Sequence, residues 1–249
     1  MYYKNKRAFT LVEVLIAMTV LSLFLGGVYK LFIGGSKTAD KGQWINTTVD
    51  QMRNALNIIS QEVRSSTYPT TMFSDTIYDP CDNPDKSVAA QYYMRILKDG
   101  EPITVPESGR EKIMSWCVCS AEKPGTESGK IVKHELYLAF KNKIKENIFG
   151  DLILKTSSYN YTTSSSNNYA RSGKLSLTEI PDESRSKVLV NDVKSVEFAV
   201  AGTVPPQKAV DFFPISVKIC TLYPKDIKVT KDNSVMATPQ VAIDLLGSE

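Results

Sequence analysis

One predominantly apolar run, Phe9–Tyr29, lies near the start of the chain. A helix over these residues, rising ~1.5 Å per residue, is long enough to cross a bilayer core of ~30 Å. The sequence has no second run of this length. Lys4, Lys6 and Arg7 precede the run, and the positive-inside rule places such a basic leader in the cytoplasm. The pattern therefore predicts one membrane-spanning helix, followed by a head outside the cytoplasm.

A single ionisable residue, Glu13, lies inside the apolar run, whose other polar members are Thr10, Thr19 and Ser22. A carboxylate in hydrocarbon costs roughly 2–3 kcal/mol or more. Such a residue is usually functional and paired. We therefore expect Glu13 to have a functional role and a partner.

A seven-residue apolar repeat follows the run. Its positions alternate four and three residues apart and define one face of a helix: Ile45, Val49, Met52, Leu56, Ile59 and Val63. Pro69 prevents the helix from continuing past Tyr68. Gly26-Gly27 and Gly34-Gly35 lie inside the predicted helix and are consistent with either close packing or local unwinding. We expect one long helix over residues 10–66, whose second half packs on a soluble domain.

Beyond Pro69, short segments of alternating apolar and polar residues predict β-strands. The predicted strands are Gln91–Lys98, Ile113–Ser120, Glu135–Phe140, Ile148–Leu154, Lys187–Ala201 and Pro214–Leu222, with Val241–Leu246 as a segment that closes the sheet. The tract Thr156–Gly173 lacks this alternation and is predicted to be a solvated loop. The predicted fold class is α+β, a long N-terminal helix packed on a mostly antiparallel β-sheet.

Composition and charge exclude several classes of function. The net charge of +3 is spread along the chain without the basic and aromatic stripe of nucleic-acid-binding proteins, so nucleic acid is not an expected partner. The only histidine, His134, shares a strand phase with Leu136 and Leu138, which favours a satisfied strand residue over a catalyst. One histidine supplies no nucleophile–base set, and the glycines form no phosphate-binding pattern. Neither an enzyme nor a cofactor-binding protein is expected.

Four cysteines, Cys81, Cys117, Cys119 and Cys220, allow three interpretations. Outside the cytoplasm a disulfide is favoured, with Cys117 or Cys119 bonded to Cys81 or Cys220. A bridge between Cys117 and Cys119 is disfavoured because both lie on one predicted strand. Buried free thiols are the second interpretation. A metal site is the third, although the spacing lacks the paired C-x₂₋₄-C units of zinc sites, and no metal is expected.

The start of the chain resembles the prepilin-type signal of the type IV pilin and pseudopilin superfamily. The matching residues are Ala8 followed by Phe9-Thr10-Leu11-Val12-Glu13-Val14-Leu15-Ile16. The resemblance implies that a prepilin peptidase cleaves between Ala8 and Phe9 and methylates the new amine of Phe9. Ala8 is a departure, because the family prefers glycine there. In the family, the residue at the position of Glu13 pairs with the N-terminal amine of a neighbouring subunit.

Later segments are similar to the large minor subunits of this superfamily, the J-type pseudopilins and W-type minor pilins: residues 56–65, 188–198 and 213–219. The resemblance implies four parts: a leader (1–8), a transmembrane and assembly helix (9–29), an amphipathic continuation of the helix (30–68) and a β-rich head (69–249). The apolar positions of the assembly helix are Phe9, Leu11, Val12, Val14, Leu15, Ile16, Val20, Leu21, Leu23 and Phe24.

The resulting expectation is a structural subunit of a type IV pilus-like filament. Its implied partners are other pilin or pseudopilin subunits, the prepilin peptidase, the inner-membrane assembly machinery and, before assembly, the lipid bilayer. Its implied location is a single-pass membrane protein with a cytoplasmic N-terminus, later part of a cell-surface or periplasmic filament. Two alternatives use the same segment. A secretory signal peptide predicts cleavage near Ser36, and a permanent signal anchor predicts an adhesin-like extracytoplasmic binding module.

Overall fold

A computed structural model of the chain describes residues 10–66, 94–121, 129–161, 183–201, 214–239 and 243–245. The structure comprises two compact units, Met1–Asn46 and Thr47–Glu249. The described part of the first unit is helical, and the second unit contains the last turns of the same helix together with a β-sheet.

The helix, α1, extends from Leu11 to Arg64 and confirms the predicted long helix. It is continuous through both glycine pairs, so the local unwinding considered from the sequence does not occur. At its end, the Ser66 N–H and the Ser66 hydroxyl both donate to the Val63 carbonyl, at 3.2 and 2.6 Å. These bonds satisfy a carbonyl that the ending helix leaves without a partner.

The sheet has nine described strands: β1 (Met94–Ile96), β2 (Pro102–Thr104), β3 (Arg110–Ala121), β4 (Gly129–Ile144), β5 (Asn147–Tyr161), β6 (Glu183–Val200), β7 (Ile215–Leu222), β8 (Thr230–Ala237) and β9 (Ile243–Leu245). Their order is β8-β7-β6-β5-β4-β3-β1-β9, and β2 pairs with β6. The β1–β9 pair is parallel and the other described pairs are antiparallel. The predicted α+β class with a mostly antiparallel sheet is confirmed.

One face of the sheet packs against the last turns of α1. Met52, Leu56, Ile59 and Val63 from the predicted helical stripe are each at most 3% exposed. Burying a side chain of this size stabilises a fold by about 1.5–3 kcal/mol. The sheet residues that join them in the core include Met114, Trp116, Leu136, Leu138, Leu152, Val196, Phe198, Ile215, Val217 and Ile219. The apolar positions of the helical repeat and those of the alternating strands therefore pack into one core.

The sequence prediction is wrong in three places on the sheet. It misses β2 and β8, and β8 is a mostly polar strand whose burial alternates without a matching apolar pattern. It also ends β5 too early, because Thr156–Tyr161 continues the strand and is not a loop. Ser157 and Ser158 are buried there by pairing with β4 and β6. Residues 162–173 of the predicted loop lie outside the described residues.

Gly150 marks a close approach of two strands. A Cβ at this position would lie 1.9 Å from the Ala139 carbonyl oxygen and 2.8 Å from Val105 Cγ1. The β4–β5 and β5–β6 registers both shift beside it, after Phe140 and after Gly150 itself. Glycine is required here because any side chain would collide with backbone.

Candidate functional site

The first turn of α1 carries Glu13, the acidic residue of the apolar run. Glu13 Oε2 accepts hydrogen bonds from the Thr10 N–H at 2.9 Å and from the Thr10 hydroxyl at 3.1 Å. In return, the Glu13 N–H donates to Thr10 Oγ1 at 3.3 Å. This reciprocal arrangement is a capping box, which satisfies backbone donors that a helix start leaves unpaired. Glu13 thus has hydrogen-bond donors within its own chain.

Thr10 is a site residue that the sequence prediction overlooks. The spacing Thr-x-x-Glu before an apolar run is a known signal for a capping box. Thr10 and Glu13 both lie in the processing motif, in which the family resemblance assigns a role to Glu13 and none to Thr10. Ala8 and Phe9, the predicted cleavage residues, lie outside the described residues.

The apolar side chains of α1 between Leu11 and Phe32 are exposed. Fifteen large ones in this range are each at least 45% exposed. They include the described positions predicted for the assembly helix: Leu11, Val12, Val14, Leu15, Ile16, Val20, Leu21, Leu23 and Phe24. By length and composition α1 is able to cross a membrane, a criterion that signal sequences near an N-terminus also meet. A surface this apolar is typical of membrane or protein interfaces.

Glu13 lies on the same face of α1 as several of these apolar residues. With Ile16, Ala17, Val20 and Phe24, and with Leu21 at the edge, it lines a shallow open groove. Positions three, four, seven and eleven residues after Glu13 share one face of a helix. The carboxylate therefore stands at one end of an apolar surface.

In the second unit, a polar contact links the end of α1 to the sheet. His134 Nε2 on β4 lies 3.3 Å from Glu62 Oε2, and His134 Nδ1 lies 3.3 Å from Thr156 Oγ1. The imidazole stacks on Trp116 with a centroid distance of 5.2 Å and an interplanar angle of 12°. Burial lowers the pKa of His134 to about 4. Burial also raises the pKa of Glu62.

The lowered pKa of His134 determines which of its ring nitrogens donates and which accepts at neutral pH. The imidazole is neutral, and since a carboxylate only accepts, Nε2–H donates to Glu62. Nδ1 then accepts from the Thr156 hydroxyl. The expectation of a satisfied strand histidine is confirmed.

The opposite face of β3, β4 and β5 carries three lysines around one carboxylate. The Nζ atoms of Lys133, Lys112 and Lys155 lie 3.1, 3.5 and 3.9 Å from the carboxylate oxygens of Glu135. The Tyr137 hydroxyl donates to Glu135 Oε2 at 3.0 Å. Burial raises the pKa of Glu135, but Lys133, Lys112 and Tyr137 together lower it below its usual value. We call Lys112, Lys133 and Lys155 with Glu135 the lysine cluster.

Lys141 has the opposite charge balance. Its Nζ lies 3.2 Å from Asp151 Oδ1 and 3.2 Å from Asp192 Oδ1. Burial lowers the pKa of Lys141, but the hydrogen bonds to both aspartates outweigh it and raise the pKa overall. Here one ammonium contacts two carboxylates, whereas in the lysine cluster three ammonium groups contact one carboxylate.

The cysteines do not support every predicted disulfide. Cys117 on β3 and Cys220 on β7 are not bonded to each other. Three strands lie between β3 and β7. Neighbouring strands lie ~4.8 Å apart, so β3 and β7 are about 19 Å apart across the sheet. A disulfide requires two Cα atoms within ~7 Å of each other. The predicted Cys117–Cys220 pairing is therefore wrong, and the same separation applies to Cys119. Pairings with Cys81, which lies outside the described residues, stay predictions.

Burial raises the pKa of the Cys117 thiol to about 12. Since only the thiolate is a nucleophile or a metal ligand, Cys117 in its thiol form reacts slowly in the folded protein. Within the described part of the chain, no group of three or more His, Cys, Asp and Glu side chains is arranged to hold a metal ion.

A family model described as the prokaryotic N-terminal methylation motif matches residues 3–29, which are 27 of the 249 residues. The match includes Ala8, Phe9 and Glu13. A comparison with curated proteins and a comparison with solved structures found no match to the chain. The motif supports a type IV pilin-like precursor, anchored in a membrane by its apolar helix, with the α+β layout described above.

Proposed function

We propose that this protein is a structural subunit of a type IV pilus-like filament, a minor pilin or pseudopilin. The observation that carries the proposal is a methylation motif whose acidic residue caps an exposed apolar helix. A prepilin peptidase cleaves between Ala8 and Phe9 and methylates the new amine. Phe9 then becomes the first residue and Glu13 the fifth.

The exposed apolar surface of α1 supports two successive environments for the helix. Before assembly, Phe9–Tyr29 lies in the lipid bilayer, the leader faces the cytoplasm, and the strand-rich head (69–249) lies outside it. On assembly, the helices of other pilin or pseudopilin subunits replace the lipid with the help of inner-membrane machinery. Both environments are apolar, so the transfer exposes no large apolar side chain to water.

Glu13 supplies the specific contact in this scheme. The two Thr10 donors satisfy one carboxylate oxygen, but they leave the negative charge uncompensated. The N-terminal ammonium of a neighbouring subunit provides the missing charge in a low-dielectric filament core. Because Glu13 stands at one end of the apolar groove, a helix packed along that groove brings its charged end to the carboxylate.

The first test is the intact mass of the protein isolated from its native host. A terminus at methylated Phe9 supports the proposal. An uncut chain instead supports a signal-anchored binding module, and cleavage near Ser36 supports a secreted protein with an ordinary signal peptide. Each outcome gives a different mass.

The second test separates charge from capping with Glu13→Ala and Glu13→Gln. The glutamine oxygen still accepts from Thr10 but carries no charge. We expect both variants to remain in the membrane and to enter filaments at least tenfold less, because leaving one member of a buried ion pair alone costs about 3–5 kcal/mol. Glu101→Gln, an exposed change in the head, is the control. Normal incorporation of Glu13→Gln would refute the pairing role and leave only the cap.

A further inference from the structure

The lysine cluster carries more positive charge than its carboxylate neutralises. Lys112, Lys133 and Lys155 come from three adjacent strands, and each Nζ lies within 3.9 Å of a Glu135 oxygen. Among the described residues, Glu135 is the carboxylate that contacts these lysines, and it balances one ammonium, so two positive charges are left in the same small region. The three lysine side chains are 24–36% exposed, which leaves them accessible to a solute.

Hydrogen-bond donors are also in surplus. Glu135 Oε1 faces Lys112 and Lys133, while Oε2 faces Lys155 and the Tyr137 hydroxyl. Each ammonium has three N–H donors, more in total than one carboxylate can accept. A fourth cation, Arg110, lies with its guanidinium carbon 5.0 Å from the centroid of the Tyr137 ring.

We propose that the lysine cluster is a binding site for a small dianionic oxyanion of the phosphate type. Two uncompensated positive charges match a dianion, and lysine ammonium groups are frequent phosphate ligands. The cross-strand pairs that fix the register also hold the lysines on the sheet, so the site is formed before the ligand arrives. Glu135, only 7% exposed, gathers the lysines and at the same time opposes the anion by its own charge.

The test is a calorimetric titration of the whole chain in detergent micelles with inorganic phosphate at low salt and pH 8, where phosphate is mainly the dianion. Lys133→Gln is expected to weaken binding about three- to tenfold, since it removes one charged contact. Glu135→Gln is expected to tighten binding by a similar factor, because the competing negative charge is lost. Lys141→Gln is the matched control, because its ammonium already serves two aspartates. Binding of that variant should stay within twofold of the original.

The opposite signs of the Lys133 and Glu135 effects distinguish a binding site from a structural ion-pair network. In a structural ion-pair network, both substitutions would change binding only by disturbing the fold, and circular dichroism would detect the lost secondary structure. The proposal is overturned if the protein without substitutions shows no binding up to about 10 mM phosphate. It is also overturned if Lys141→Gln weakens binding as much as Lys133→Gln does. Should Glu135→Gln fail to fold, Lys112→Gln and Lys155→Gln must each weaken binding.

Discussion

The neutral, buried His134 makes the head sensitive to acid. Burial lowers its pKa to about 4, against an ordinary value of 6.5. Below about pH 6.5 the unfolded chain therefore binds a proton that the folded chain does not bind until about pH 4. Because the unfolded state holds more protons in this window, the free energy of unfolding decreases as the pH falls.

The size of this effect follows from the pKa difference. Each pKa unit corresponds to about 1.4 kcal/mol, so the full loss between pH 6.5 and 4 is about 3 kcal/mol. Two neighbouring acids also titrate. Glu62, whose pKa is raised, adds some stability as the pH falls toward its usual 4.5. Glu135, whose pKa is lowered, loses its contribution only below that value. His134 therefore dominates the upper part of the window.

The assay compares the protein with His134→Gln, whose amide can still donate to Glu62 but does not titrate. Both chains carry Trp44→Phe, so that Trp116, which stacks on the imidazole, is the only tryptophan that fluoresces. Denaturant unfolding in detergent micelles is measured at pH 7, 6, 5 and 4. We expect the stability advantage of histidine over glutamine to shrink by about 3 kcal/mol across this range. An advantage that stays constant within about 0.5 kcal/mol would show that His134 is not buried in the neutral form.

Three further predictions address the backbone, the helix start and the thiols. Gly150→Ala should lower the free energy of unfolding by about 2–4 kcal/mol, because the new Cβ would collide with the backbone. The control is Gly42→Ala, which lies in open space on the helix and should be neutral or stabilising in the same denaturation assay. Thr10→Val should weaken the cap by about 1 kcal/mol and speed hydrogen exchange of the first-turn amides, and unchanged exchange would contradict the capping box. After reduction, alkylation followed by peptide mass spectrometry should modify Cys220 well before Cys117, and equal rates would contradict the burial of Cys117.

The long helix and most strands could be predicted because their signals are local. The stripe of Met52, Leu56, Ile59 and Val63 has a helical period, and the core strands alternate apolar and polar residues. Where one face of a strand is apolar and the other polar, the pattern identifies the strand before any partner is known. The same reasoning fails for β8, because a mostly polar strand is stabilised by its pairing with β7 and not by its own side chains.

The polar sites of the head could be predicted only in part. The phase of His134 in its strand is visible in the sequence, but its contact with Glu62 depends on how α1 lies on the sheet. The lysine cluster requires the registers of two strand pairs, which bring Lys112 and Lys155 beside Glu135 from positions 23 and 20 residues away in sequence. The Cys117–Cys220 prediction is wrong for the same reason, since strand order is a non-local property.

The Thr10–Glu13 cap in the first turn of α1 is compatible with the partner that we propose for Glu13 in a neighbouring subunit. Thr10 meets the hydrogen-bonding need of one carboxylate oxygen, and it does so in an isolated subunit. It does not neutralise the charge, whose cost in hydrocarbon is roughly 2–3 kcal/mol. Under the proposed function, a neighbouring ammonium removes this remaining cost, which gives a driving force for association that the cap does not abolish. Glutamine preserves the hydrogen bonds and eliminates the charge, and for that reason it distinguishes a helix-capping residue from an assembly residue where alanine cannot.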